Sequence, residues 1–434
     1  MIMIRVRVLV AAVMLCEAVA TAHGSALAIT DGTVYTLGPS GKLDHATVLV
    51  EDGRIKAVGT ALTIPPDARV INANGRIVTP GLMNSYTDLA LDELTENADD
   101  TVDRRTEKGS AAASFDVRFG LNANSSALAV ARIEGLTRAI AAPTVGHSVF
   151  AGVGAVICLA DGADVLATPR IAMFADLTSD GRKAAGGSRS AAWAMLLNAL
   201  DEADRYDKKR AAYERGDQAR YSLAREELEA LVPVVRGELP LAIIANRESD
   251  IRNIIALKAT RHLKIILIDA AEAWRVSHEL AMAKIPVVLN PIYDLPQDFD
   301  SLGSTSSNAA RLAQAGVTVA FYGSPSFGEG PYGVGKIAAL GGIAASNGMP
   351  WTEALAAMTS NPARIWGIEV HYGTIEPGKD ADLVVWDGDP LEPSSAPVAV
   401  LIRGSEIALV SRQTKLRDRY LRPNPNHLPP AYSK

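Results

Sequence analysis

The 434-residue chain is poor in the residues that cross-link or stack on bases. It has only two cysteines. Cys16 lies in the N-terminal leader, so its removal leaves Cys158 alone, and one cysteine makes no internal disulfide. Cys158 sits inside the apolar run 154–159, where nothing nearby lowers its pKa, so it reads as an inert buried thiol. Aromatic residues are 5% of the chain, which disfavours a base-stacking platform. There is no basic excess either. The net charge is −6, which argues against a nucleic-acid partner, because phosphate binding needs a basic surface. After the leader no apolar run is long enough for a membrane helix.

The leader has the pattern of a signal peptide over residues 1–22. Arg5 and Arg7 precede the apolar core Val8–Leu15, and small residues at 18–22 offer cleavage sites. That core is too short to span a bilayer. Leu15 is a poor fit to the small residue that precedes a lipidated cysteine, which weakens a lipoprotein reading of Cys16. The expected address is periplasmic or secreted.

The hydrophobic fraction is 48% and the charged fraction 21%, ordinary for a globular protein. At this length a large core is available. Residues 26–75 read as short strands and turns, with Asp52-Gly53 as a hairpin signal between Thr47–Val50 and Ile55–Val58. Beyond Ile77 strands alternate with helices. Strands are expected at 136–141, 152–160, 170–177, 239–245, 263–268, 285–290 and 317–322. Helices are expected at 188–237, 250–260, 270–283, 306–315 and 336–347. Such alternation implies parallel pairing with right-handed crossovers. The number of units suits an α/β fold of the (β/α)8 TIM-barrel type. The tail returns to β at 372–375, 381–386 and 398–403. A small β-sandwich domain built from both chain ends (26–76 with 368–412) is therefore expected beside a barrel at 77–367, with a polar, proline-rich surface tail at 413–434. The charge-rich piece 201–225 reads as a solvated helix face or a partner surface. Residues 185–190 read as a loop with Ser188 as helix N-cap, the alternative being an anion site.

The stretch Arg76–Leu91 organises this plan. Its strand delivers Tyr86 and Asp88 to one face, since strand side chains repeat every second residue. Farther on, Asn246 and Arg247 follow a strand where they hold a substrate carbonyl or carboxylate, or else cap the next helix through Glu248 or Asp250. Asp269 closes the strand 265–268.

Val78-Thr79-Pro80-Gly81-Leu82-Met83-Asn84, the tail Thr359–Arg364 and the run Gly373–Asp387 together resemble signatures of the amidohydrolase superfamily, closest to its secreted, imidazolonepropionase-like branch. The resemblance covers nearly all of the mature chain. It implies hydrolysis of C–N bonds with one or two divalent metals, which activate water and polarise a carbonyl. It also implies ligands at strand ends: a His-x-His pair, a mid-barrel lysine or acid, two further histidines and a final aspartate. Here the pair falls on Tyr86 and Asp88. No histidine stands at 243–246, Asp269 replaces the next, and no acid follows 320–324 until Glu329. Lys183 is the nearest lysine to the mid-barrel position. His147, His262 and His278 fall away from strand ends, and His45 and His371 in the β-domain. The ligand set that the resemblance implies is therefore missing, and no cofactor is assigned. Two readings remain: a C–N hydrolase working through Tyr86, Asp88 and Asp269, or a catalytically silent relative that binds a small ligand or supports a paralogous partner or a second copy of itself.

Overall fold

A computed structural model of the chain describes residues 26–92, 102–106, 111–162, 164–217, 221–323 and 336–421. The expected signal peptide at residues 1–22, Glu329 and residues 422–434 lie outside these. The first strands are β1 (Leu27–Tyr35), β2 (Lys42–Glu51), β3 (Arg54–Gly59), β4 (Arg69–Asn72) and β5 (Ile77–Pro80). The Asp52-Gly53 turn joins β2 to β3 with both residues at positive φ (50° and 76°), as a tight hairpin requires. The chain then runs through β6 (Leu82–Thr87), β7 (Leu136–Ala141), β8 (Phe150–Val153), β9 (Ala155–Cys158), β10 (Leu166–Thr168), β11 (Met173–Asp176), β12 (Leu241–Ala245), β13 (Ile265–Asp269), β14 (Val287–Leu289) and β15 (Val319–Phe321). It closes with β16 (Leu383–Trp386), β17 (Pro397–Ile402) and β18 (Ser405–Glu406).

Both chain ends enter one eight-stranded sheet, in the order β18-β17-β16-β5-β1-β2-β3 with β4 on β1. β5 pairs antiparallel with β16, Val78 opposite Val385. The sequence pointed to a β-sandwich; the strand register describes a single sheet. Its apolar face includes Ile29, Val48, Val78, Leu383 and Leu401.

Gly81 separates β5 from β6 and so links this sheet to the next. A Cβ there would lie 2.2 Å from Thr137 Oγ1, so only glycine permits the close passage. The remaining strands register in two sheets, β10-β9-β7-β6 and β15-β14-β13-β12-β11-β8. That register does not by itself describe a closed eight-fold barrel. β11 to β15 are parallel neighbours, and β6 is parallel to β7. The expected run 152–160 is not one parallel strand. It breaks at Gly154, so that β9 pairs antiparallel with β7 and β8 antiparallel with β11. A Cβ at Gly154 would lie 2.6 Å from the Phe174 ring and 2.9 Å from the Ala141 carbonyl. At the far edges the Asn84 side chain donates to the Gly323 carbonyl and accepts from its N–H, both at 3.2 Å.

Alternate strand residues divide between two cores. Leu136, Ile243, Leu267 and Val287 pack under the helices, whereas Met83, Ile140, Phe174, Ile244, Ile268 and Val288 pack with one another and with Trp366 and Tyr372. Strands buried on both faces read as continuous apolar runs. One expectation fails locally. Residues 372–375 form no strand: the backbone bends at 372–374, and the Tyr372 hydroxyl reaches into the core to donate to the Gly81 carbonyl at 2.5 Å and meet Thr137 Oγ1 at 3.0 Å. The start of the tail is a helix, Arg412–Leu421, with no buried residue. No helix among the described residues is long and apolar enough to cross a membrane.

Candidate functional site

Parallel pairing aligns the C-terminal ends of β11, β12 and β13: Asp176 lies opposite Ile244, and Ala245 opposite Asp269. Asn246 follows β12 and Tyr322 follows β15. The Tyr322 hydroxyl reaches across β14 to donate to the Asp269 carboxylate. The Tyr86 ring meets Tyr322 edge-on, with centroids 5.5 Å apart, and lies 6.0 Å from Phe174. Such aromatic contacts fix ring orientation.

The backbone at Asp269 is strained. Asp269 and Ala270 both have positive φ, 69° and 55°, which costs ~1–3 kcal/mol per non-glycine residue. The turn is held by Asn246, whose Oδ1 accepts from the Ala271 N–H at 3.1 Å. Asn308 Nδ2 donates to the Ala270 carbonyl at 3.0 Å. The surroundings thus hold Asp269 turned toward Tyr322.

Burial controls the charges. It pushes the Asp176 carboxyl up to about 6, against the Thr178 hydrogen bonds and with help from nearby Asp269. It raises Asp269 as well, although Tyr322 and Asn246 hydrogen bonds pull the other way. The phenols of Tyr86 and Tyr322 are driven far up, first by burial and then by the neighbouring carboxylates. Both are neutral donors at any working pH, beside two carboxyls that resist ionising.

Asp88 takes a different role. β6 ends at Thr87, and the Asp88 carbonyl accepts from Leu91 and Asp92 N–H groups to start a turn. Its carboxylate accepts from Arg104 at 3.0 Å, and the same guanidinium nitrogen pairs with Asp92. Burial raises both carboxyls, Asp92 to about 6, while Arg104 counters it. One oxygen of each is buried without a hydrogen-bond partner. Arg247 is exposed at the start of the helix Glu248–Arg261. Its expected partners are engaged elsewhere: Glu248 with Arg252 at 2.9 Å, and Asp250 with Arg189 and with Trp193 Nε1 at 3.0 Å.

Of the five sequence candidates, the structure brings Tyr86, Asn246 and Asp269 together; Asp88 turns to Arg104 and Arg247 to the surface. Asp176 and Tyr322 join the cluster without having been singled out. Both end apolar strand runs, so the strand-end position was the available signal. Arg104 carried none, since nothing in the sequence couples it to Asp88. Lys183 pairs with Asp180 at 2.8 Å on an exposed face.

The divalent metal implied by the resemblance finds a poor donor set. Among the described residues no three His, Cys, Asp or Glu side chains come together in a way that could hold an ion. Asp88 is committed to Arg104 and Asp269 to Tyr322, whereas a catalytic zinc needs about three ligands around an open position. The described residues do not fit the group.

The amidohydrolase family sequence model matches residues 248–415. A dihydroorotase from Lactobacillus helveticus is 48% identical over 58 residues, which is 13% of this chain and 12% of that protein. A 5'-deoxyadenosine deaminase from Methanosarcina mazei is 37% identical over 73 residues, 17% of each chain. The matched segment thus spans only a small part of these relatives. Among solved structures, an amidohydrolase from Thermotoga maritima has a TM-score of 0.78 at 24% identity, covering 88% of this chain and 99% of that one. Molinate hydrolase has a TM-score of 0.52 at 19% identity, covering 94% and 98%. The chain therefore has the fold of the amidohydrolases, and its residues 248–415 match the amidohydrolase family.

Proposed function

We propose that this chain is a periplasmic or secreted amidohydrolase-fold protein that binds a small uncharged amide at its strand-end cluster without metal-dependent hydrolysis. In this reading its two central sheets form one (β/α)8-type barrel, whose mouth is that cluster. The leader at residues 1–22 supplies the address, and the imidazolonepropionase-like signatures supply the branch. The observation that carries the reading is the Tyr322–Asp269 hydrogen bond. It occupies the carboxylate at a strand end where the family places a metal ligand.

The ligand class follows from charge. Two neutral phenols and two carboxyls pushed upward by burial offer hydrogen bonds to a neutral amide or cyclic amide. An anionic ligand would meet carboxylate repulsion. A silent relative of this kind acts by holding its ligand, or by steadying a paralogous partner or a second copy of itself.

A second reading is favoured by one observation. Burial pushes the Asp176 carboxyl up to about 6, toward the value suited to general acid–base catalysis. In that reading the chain is a metal-free hydrolase of C–N bonds, with Asp176 moving the proton and Tyr86 polarising the carbonyl.

Cyclic amides, N-acyl amino acids and dipeptides offered to the purified protein decide between them. The binding reading expects saturable binding without turnover, weakened about fivefold by Tyr86→Phe through loss of one hydrogen bond. Binding indifferent to Tyr86→Phe would sink it. Turnover abolished by Asp176→Asn would establish the second reading instead.

A further inference from the structure

A cavity of about 490 Å³ lies away from the strand-end cluster, where β7 and β9 meet the turns of the eight-stranded sheet. Its lining includes Arg54, Arg138, Arg403, Asp380, Ile368 and Tyr372. In the β6–β7 register Arg138 sits beside Met83 and Ala141 beside Thr87. Three residues along β7 separate the two levels, about 10 Å at the usual strand rise. The cavity is therefore a different site from the Tyr86 cluster. Its volume is in the range of small-molecule pockets.

Arg138 is the fixed part of the wall. It is buried and donates to Asp382 at 2.7 Å and to Asp380 at 2.9 Å. Asp382 is further held by the Arg403 N–H at 2.8 Å. Asp380 then faces two more guanidinium groups without hydrogen-bonding either. Arg403 Nε lies 3.7 Å from one carboxylate oxygen and Arg54 Nη2 3.9 Å from the other. The Arg54 guanidinium donates to the Gly378 carbonyl at 2.7 Å. The Arg403 guanidinium makes none to a protein acceptor among the described residues. Their side chains are 54% and 53% exposed, so both forks face the opening.

The rim that carries them is rigid. Asp52, Gly53, Arg403 and Gly404 all have positive φ, and the two turns touch: a Cβ on Gly53 would lie 2.7 Å from the Arg403 carbonyl. Backbone hydrogen bonds from Ile55 to Lys379 and from Ala381 to Gly53, at 2.8 and 2.9 Å, tie the turns to the 378–382 segment. The lining also includes the apolar side chains of Val156, Ala167, Ile368 and Tyr372, with Thr168 and His371 among them.

We infer that this cavity is a second ligand site, which takes a small carboxylic acid with an apolar body. The carboxylate sits between the Arg54 and Arg403 forks, whose planar donors match it in pairs. The apolar body lies against Ile368 and Tyr372. One negative charge suffices, because Asp380 already offsets part of the arginine charge.

The test uses 4-methylpentanoate and, as its uncharged counterpart, 4-methylpentan-1-ol, with binding followed by calorimetry on the full protein. The acid binds saturably and the alcohol about tenfold or more weaker, since the charge-assisted hydrogen bonds are lost. Arg54→Gln and Arg403→Gln, made singly and together, reduce affinity for the acid by about tenfold or more. Both positions are half-exposed, and the melting temperature without ligand verifies that each variant is folded. Tyr86→Phe leaves affinity for the acid unchanged. The inference is overturned if neither compound binds, if acid and alcohol bind alike, if folded arginine variants bind normally, or if Tyr86→Phe removes binding.

Discussion

Replacing Asp176 by asparagine should stabilise the protein above pH 6 and leave it almost unchanged at pH 4. Asp176 is 8% exposed, and its carboxyl is pushed from 3.8 to about 6, chiefly by burial. The folded state therefore keeps its proton at pH values where the unfolded chain has released it. Stability from this group is complete below pH 4 and is lost as pH rises through about 6. Two pKa units correspond to ~3 kcal/mol lost at pH 8. Asparagine carries no charge to desolvate, and its carbonyl can still accept from the Thr178 N–H, now 2.6 Å from Asp176 Oδ1. With an unfolding entropy of ~2 cal/mol/K per residue, the gain amounts to a rise of about 3 °C in melting temperature at pH 8. The assay is paired thermal denaturation of wild type and Asp176→Asn from pH 4.5 to 8. The difference should open between about pH 4 and 6 and stay level above that. A difference independent of pH would refute the reasoning, and so would a variant less stable at pH 8 than at pH 4.5 relative to wild type.

Other substitutions probe the rest of the account. Tyr322→Phe strips Asp269 of its hydroxyl donor and should cost ~1–3 kcal/mol, read by denaturant unfolding; an unchanged midpoint would contradict the hydrogen bond. Arg138→Met leaves Asp382 and Asp380 without their buried partner and should cost ~3–5 kcal/mol. Adding Asp382→Asn should recover part of that loss, and strict additivity of the two substitutions would argue against the pairing. Gly81→Ala forces a Cβ against Thr137 and should destabilise by ~1–3 kcal/mol. Thr137→Ala, which removes two of the three clashing atoms, should relieve most of that effect when combined with it.

Much of the fold was legible in local pattern. The strand 136–141 matches β7 to the residue, and Asp52-Gly53 makes the hairpin of β2 and β3. Ser188 caps its helix by accepting from the Ala191 N–H. Strand direction was not legible. The run 152–160 is buried on both faces, so it lacks the alternation that would mark a strand, and the break at Gly154 depends on Phe174 and Ala141 approaching from elsewhere in the chain. Tyr372 looked like a strand residue, but its hydroxyl is drawn to the Gly81 carbonyl 291 residues away. The helix Arg412–Leu421 buries nothing, so no apolar stripe announced it.

The site divides in the same way. Tyr86, Asn246 and Asp269 were readable as strand-end residues, and so in principle were Asp176 and Tyr322. What the sequence did not contain is which of them meet. Tyr322 reaches Asp269 across an intervening strand, and Arg104 draws Asp88 into a turn. Asp88 and Tyr86 looked like one face of one strand only while β6 was assumed to continue past Thr87.

Elemental analysis of the purified protein tests the central claim most directly. With Asp269 tied to Tyr322 and Asp88 to Arg104, zinc, iron and manganese should each be present far below one ion per chain. One tightly held transition-metal ion per chain, surviving dialysis against chelator, would contradict the account.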